Sequence, residues 1–125
     1  MARKKSLTLT EAELPLMNVL WTRGESSVSD VLEALPADPP PAYSTVLTTL
    51  RILEDKGYVK HKKDGRAFLY LPRVPREQAQ HSALRQLISR FFENSAEQLL
   101  LNVLKNEKLS AAELGRLRRM IEEAK

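Results

Sequence analysis

The sequence predicts a mainly α fold with one small antiparallel β wing, and three observations support this prediction. Apolar residues recur at helical spacing along most of the 125 residues. At one place the period changes to two, on both sides of Asp64-Gly65, a pair that is typical of tight hairpin turns. After Pro75 only helical patterns follow. We therefore expect a first domain over residues 1–74 and a second, three-helix domain over residues 75–125.

Composition narrows the possible functions. Cysteine is absent, which excludes disulfide scaffolds, thiol nucleophiles and cysteine-containing metal sites. His61 and His81 have no carboxylate at ligand spacing, so we expect no metal site, and no group of residues indicates a cofactor or an enzyme. No apolar run approaches the roughly 18 residues that span a membrane, and no signal peptide is apparent. These features predict a cytoplasmic protein without membrane insertion.

The positive charge is concentrated in two segments. The formal net charge is only +4. Arg3-Lys4-Lys5 forms a basic arm, and the stretch from Lys56 to Arg73 has six basic residues and one acidic residue. A solvated hairpin would account for the second run, but contact with phosphates would account for it as well.

Three helices are predicted before the hairpin. Thr10 and Glu13 fit a capping box for the first helix, although Pro15 implies that its first turn is irregular or that it begins nearer Glu13. The second helix is expected to be capped by Ser29, with Val28 as an isolated strand residue before it. Prolines then prevent helix over residues 36–41. The third helix should run from about Ala42 to Lys56 and close at Gly57.

The remaining elements follow from the same signals. Residues 58–62 and 67–71 alternate as strands, joined by residues 63–66. A helix is predicted from about Arg76, and capping boxes at Ser95 and Ser110 begin two more.

The order helix, short helix, turn, helix and hairpin is that of a winged helix-turn-helix, in which the third helix enters the major groove of DNA. On that helix Ser44, Thr48 and Arg51 share one face, opposite the apolar Val46, Leu50 and Leu53. Hydroxyls and arginine suit base edges, whereas the basic hairpin suits phosphates.

The same residues resemble a known family. The segment 42–59 (AYSTVLTTLRILEDKGYV) looks like the recognition helix of the BlaI/MecI penicillinase and methicillin-resistance repressors. Residues 9–14 with Leu20-Trp21 are similar to the first helix of that family, residues 64–70 to its wing, and residues 104–110 to its C-terminal region. The resemblance covers about residues 7–121.

The resemblance implies a homodimeric transcriptional repressor that binds a dyad-symmetric operator in double-stranded DNA, as in regulation of β-lactam resistance. The DNA contacts expected by residue match lie on the third helix and the wing: Tyr43, Ser44, Thr45, Leu47, Thr48, Arg51, Lys62, Lys63 and Arg66. Induction in the family is by cleavage in the dimerisation region, triggered by a membrane sensor protease, and the matching bond here is Asn102-Val103. A related copper-responsive branch ends in cysteines, which this chain lacks.

Residue pattern also favours a dimer. Leu99-Leu100-Leu101 covers most of one helix circumference, and three short helices cannot easily bury that surface by themselves. A second copy would cover it, although packing onto the first domain is the alternative. The predicted dimer residues are Leu84, Leu87, Ile88, Phe91, Leu100, Leu101, Leu104, Leu117, Met120 and Ile121.

Two other functions remain open from sequence. A winged helix can be a protein-interaction module, in which case random duplex DNA would not bind even at low salt. It can also be a regulator with a small-molecule effector, which would raise its melting temperature.

Overall fold

The computed structural model describes residues 8–124. In this part of the chain there are six helices and three short strands. In chain order they are α1 Leu14–Arg23, β1 Ser26–Ser27, α2 Val28–Ala34, α3 Tyr43–Asp55, β2 Val59–Asp64, β3 Ala67–Pro72, α4 Arg76–Phe91, α5 Ala96–Asn106 and α6 Ala111–Ala124. The predicted fold class is confirmed.

Helix α1 begins at Leu14, one turn after the predicted cap. Thr10 N–H donates to Glu13 Oε1 at 2.9 Å, and Glu13 N–H donates to Thr10 Oγ1 at 3.2 Å. The reciprocal hydrogen bonds of the capping box therefore form, but around a turn that precedes the helix. Pro15 sits in the first turn of α1, where its missing N–H removes no helical hydrogen bond.

Helix α2 begins two residues earlier than expected. Its cap is Ser27 rather than Ser29, because the Ser27 hydroxyl accepts from Asp30 N–H at 3.1 Å and Asp30 Oδ2 accepts from Ser27 N–H at 3.1 Å. The prediction of Val28 as an isolated strand residue is also wrong, since the strand is Ser26–Ser27 and Val28 is the first helical residue.

The strands form one antiparallel sheet in the order β1-β3-β2. Asp64 pairs with Ala67, so the loop between β2 and β3 is only Gly65-Arg66, and Gly65 has a φ of 63°. Its left-handed conformation explains the glycine there. We call β2, this loop and β3 the wing. Ser26 pairs with Tyr70, which ties the segment before α2 to the wing.

The core lies among α1, α2, α3 and the base of the sheet. Its fully buried side chains include Met17, Leu20, Val31, Leu50 and Val59. Val46, Leu50 and Leu53 are the buried face of α3, as the helical spacing predicted. The opposite face of α3 is therefore left in solvent.

An ion pair connects the end of α3 to the turn before α1. Lys56 Nζ lies 2.7 Å from Glu13 Oε1 and donates to the carbonyl of Thr8 at 3.2 Å. Burial alone would raise the pKa of Glu13, but the hydrogen bonds from Lys56 and Thr10 and the charge of Lys56 lower it below its ordinary value. The pair thus ties the residue that follows α3 to the turn before α1.

The chain divides into two compact units, up to Gln86 and from Leu87 onward. The first unit extends past Val74 because the beginning of α4 packs on α1. Trp21 Nε1 donates to the carbonyl of Val74 at 2.8 Å, Arg76 lies over the indole at 5.3 Å, and Ala79 is in the core. A folding domain that stops at Val74 stays a prediction.

Candidate nucleic-acid interface

The exposed face of α3 carries most of the residues that sequence analysis assigned to DNA. Ser44, Thr45, Thr48 and Arg51 are all exposed, and Tyr43 is exposed over 52% of its surface. Leu47 is half-buried and packs against the core. The Thr49 hydroxyl is turned back onto the carbonyl of Thr45 at 2.8 Å, so that hydroxyl already has a partner. The structure thus presents the hydroxyls of Ser44, Thr45 and Thr48 and the guanidinium of Arg51 on one helix.

A cleft of about 380 Å³ joins this face to the wing. Arg51 from α3 and Arg66 from the wing loop both line it, together with Tyr43 and Phe68. Ser27 and Ser29 at the start of α2 complete one wall. Two arginines and two hydroxyl residues from three separate elements therefore meet at one concave surface, and arginine and serine are common phosphate ligands.

Lys62 and Lys63, the two wing lysines that sequence analysis assigned to DNA, lie on opposite faces of the sheet. Lys63 pairs with Phe68 and His61 with Tyr70, so these side chains share one face, whereas Lys62 pairs with Leu69 and belongs to the other. His61 reaches Glu54 of α3 at 2.7 Å, which shows that its face is turned towards α3. The structure therefore brings Lys63 and Arg66 towards α3 but places Lys62 behind the wing.

Lys62 is also paired. Its Nζ lies 2.7 Å from Glu25 Oε2, and both side chains are largely exposed. The hydrogen bond to Glu25, followed by attraction between the two charges, raises the pKa of Lys62. Lys62 thus differs from Lys63 in partner as well as in direction.

His61 has a role that sequence analysis did not identify. Besides its contact with Glu54, its ring lies 5.1 Å from the Phe68 ring and 5.6 Å from the Tyr70 ring. The histidine thus connects α3 to both strands of the wing. The alternation of residues 58–62 was the one available signal, since it places His61 on the same face as Val59, which is buried.

Neither a metal-binding cluster nor a membrane-spanning helix occurs in the described part of the chain. Residues 8–124 contain no group of His, Asp and Glu that could hold a metal ion. None of the helices in this range is long and apolar enough to cross a membrane. The basic arm Arg3-Lys4-Lys5 lies outside the described residues.

Comparison with known proteins gives a consistent result. The family model described as "Penicillinase repressor" matches residues 9–123. The penicillinase repressor of Bacillus licheniformis is 30% identical over 122 residues, covering 98% of this chain and 95% of that protein. The methicillin resistance regulatory protein MecI of Staphylococcus aureus is 25% identical over 117 residues, covering 94% and 95%.

The chain belongs to the penicillinase repressor family. Among solved structures, the DNA-binding domain of the repressor BlaI matches with a TM-score of 0.51 and 29% identity, over 60% of this chain and 93% of that one. The family and the winged-helix fold assign this chain as a DNA-binding transcriptional repressor.

Most of the residues predicted to form a dimer interface are exposed in the single chain. Eight of the predicted dimer residues are exposed here, with Phe91 at 70% and Met120 at 63%. Leu117 is half-buried, and Ile88 is only 4% exposed, so Ile88 is covered within the single chain. The exposed residues are Leu84, Leu87, Phe91, Leu100, Leu101, Leu104, Met120 and Ile121.

The bond matched to the cleavage site lies inside α5. Asn102 is exposed and Val103 half-buried, in a helix that runs from Ala96 to Asn106. Asn106 Nδ2 donates to the carbonyl of Asn102 at 3.0 Å, and Asn102 Nδ2 donates to that of Gln98 at 3.2 Å. The side-chain amides thus add hydrogen bonds around this bond.

Proposed function

We propose that the protein acts in the cytoplasm as a homodimeric repressor of a dyad-symmetric operator. The observation that carries the proposal is the exposed hydroxyl and arginine face of α3 beside Arg66, on the fold of a repressor family. A twofold dimer would place two copies of α3 in successive major grooves, about one helical turn of DNA apart.

Base readout is assigned to the middle of the α3 face. Thr48 and Arg51 lie one helical turn apart and both are exposed. A threonine can pack its methyl group against thymine or hydrogen-bond a base, and arginine pairs with guanine through two hydrogen bonds. Tyr43, Ser44, Thr45 and Leu47, nearer the start of α3, are assigned to base edges and the adjoining backbone.

Phosphate contact is assigned mainly to Arg66 and Lys63. Arg66 shares the cleft with Arg51, and Lys63 lies on the face of the wing that is turned towards α3. The ion pair between Lys62 and Glu25 must break before Lys62 can bind a phosphate. Most of the affinity should come from these charges and should fall as salt rises.

Dimerisation is assigned to the exposed apolar residues from Leu84 to Ile121. Between α5 and α6, Leu100, Leu104, Leu114 and Ile121 line an apolar groove of about 190 Å³. Contiguous apolar surface of this kind is costly in water, and a second copy supplies the same residues in return.

Selection from a random duplex pool tests the DNA proposal. The bound sequences should contain two inverted half-sites with constant spacing, because a twofold dimer reads both strands alike. Absence of binding to any duplex at low salt would instead favour a protein-interaction module, and a single unpaired motif would contradict the twofold dimer.

Induction is assigned to cleavage of Asn102-Val103 after a signal from a membrane sensor protease. Loss of α5 would separate the apolar residues on either side of the cut, and a monomer would bind each half-site without the avidity of the dimer. Replacing Asn102 and Val103 together by Ala-Ala should leave repression intact and abolish derepression in a host that carries the sensor. Unchanged induction would exclude this bond.

A further inference from the structure

Glu25 lies at the end of the loop after α1, immediately before β1. The pairing of Ser26 with Tyr70 and of Ser27 with Leu69 holds this segment against the wing. Lys62 pairs with Leu69 from the other side of β3. Glu25 and Lys62 therefore reach each other diagonally across β3, on the face of the sheet that does not carry His61.

The contact is well defined but open to water. Lys62 Nζ and Glu25 Oε2 are 2.7 Å apart, with 56% and 40% of the side chains exposed. An exposed pair of this kind contributes little to folding, since water and salt screen it. A phosphate can therefore take over Lys62 at small cost, and the two anions are alternatives for one ammonium group.

We propose that Glu25 competes with DNA phosphate for Lys62 and so limits the affinity of the repressor for duplex of any sequence. The inference rests on the proposed DNA binding, and it concerns a residue outside the predicted DNA face. In the free protein Lys62 is held by Glu25. In the complex the phosphate displaces Glu25, which then stands as an uncompensated anion near the DNA backbone.

The competition has a signature in the salt dependence. Each phosphate that a lysine neutralises adds about 0.9 to the slope of log affinity against log salt. Lys62 gives up one anion to gain another, so its contribution to the wild-type slope is reduced. Removing Glu25 restores that contribution and also removes repulsion from the phosphates.

The test compares the full chain with Glu25→Gln on a random-sequence duplex, by fluorescence anisotropy over a range of salt. Glu25→Gln should bind about two- to five-fold more tightly at low salt, the range expected for an exposed ion pair. The slope should steepen by up to roughly 1. Glu33→Gln is the matched control, because Glu33 is an exposed acid on α2 and the change in net charge is the same.

A second pair of variants isolates Lys62. In a Lys62→Met background, Glu25→Gln should raise the affinity clearly less than it does when Lys62 is present, because only the repulsion of the phosphates is then removed. The proposal would be overturned, while DNA binding stands, by either of two results. One is an equal increase in affinity for Glu25→Gln and Glu33→Gln in the wild-type background. The other is an increase for Glu25→Gln without Lys62 that is as large as the increase with it. If the wild-type chain binds no duplex, the proposed function and this inference both fail.

Discussion

At the scale of single residues, the pair of Glu13 and Lys56 has the clearest energetic consequence. Glu13 is 6% exposed and Lys56 is 14% exposed, so each charge depends on the other. The pair joins the turn before α1 to Lys56, the residue that caps the carboxyl end of α3, and it therefore holds the helix assigned to DNA readout at that end.

This pair predicts a dependence of stability on acid. Because the fold lowers the pKa of Glu13, its contribution is complete above the ordinary pKa of 4.5 and is lost as pH falls through the lower folded value. Glu13→Gln should cost roughly 3 kcal/mol at pH 7, as expected when one partner of a buried pair is removed. Urea unfolding from pH 7 to pH 3 measures this.

Glu11→Gln is the control for that experiment, since Glu11 is an exposed acid two residues away. The difference in the free energy of unfolding between Glu13→Gln and Glu11→Gln should become smaller as the solution becomes more acidic. A gap that stays constant to pH 3 would mean that ionisation of Glu13 does not stabilise the fold.

A second residue-scale prediction concerns sequence readout. Thr48→Ala should relax the base preference at one position of each half-site by about 0.5–1.5 kcal/mol, the net value of a single hydrogen bond. The double variant Lys63→Gln/Arg66→Gln should weaken every duplex about equally and flatten the salt slope. Binding to the selected operator and to random duplex separates these two effects. If Thr48→Ala weakened both duplexes alike, its assignment to base readout would be wrong.

At the scale of elements, the wing depends on His61. Its contacts with Glu54, Phe68 and Tyr70 join β2 to α3 and to β3. Glu54→Gln should speed amide hydrogen exchange in the wing, because a charged hydrogen-bond acceptor is lost, while exchange in α1 stays as it was. Equal changes in both elements would indicate general destabilisation instead.

Helix α5 makes a prediction for proteolysis. A protease needs its substrate unwound, and the Asn102–Val103 bond lies within a helix with additional side-chain hydrogen bonds. A protease of broad specificity should therefore cut the segment around Glu107-Lys108, between α5 and α6, before it cuts inside α5. Mass spectrometry of early fragments shows the order, and a first cut at Asn102–Val103 would contradict it.

The sequence predicted most elements because local signals and tertiary packing agree there. The apolar spacing of α3, the Asp64-Gly65 turn, the serine cap at Ser95 and the capping box at Ser110 are all local signals. The cap of α2 was misplaced although Ser27 and Asp30 have capping-box spacing, because Ser29 was an equally plausible candidate. Strand β1 has only two residues and forms through its pairing with β3, so no local period could indicate it.

The DNA face was predictable in part. Charge clustering located the wing, but it treated Lys62 and Lys63 as equivalent. The two-residue period of a strand separates them, and only the tertiary position of Glu25 shows which lysine is paired. The contact between His61 and Glu54 depends on how the sheet packs against α3, and the spacing of residues in the sequence does not reveal that packing.

At the scale of the whole molecule, the proposed dimer predicts a link between assembly and DNA binding. Phe91→Glu/Met120→Glu should yield a monomer by sedimentation, since two of the most exposed apolar side chains become charged. Affinity for a single half-site should change little, whereas the advantage of a double site should disappear. Gln98→Glu is the control, because Gln98 is an exposed polar residue of α5.

Trp21 is the only tryptophan of the 125 residues, and its indole is bonded to Val74 and covered by Arg76. Its emission therefore reports on one place, the seam where the last helix of the first unit meets α1. Circular dichroism, by contrast, sums the helices of both units. Melting curves recorded by tryptophan emission and by circular dichroism on the same sample would consequently separate the thermal unfolding of the first unit from that of the rest, without any added label.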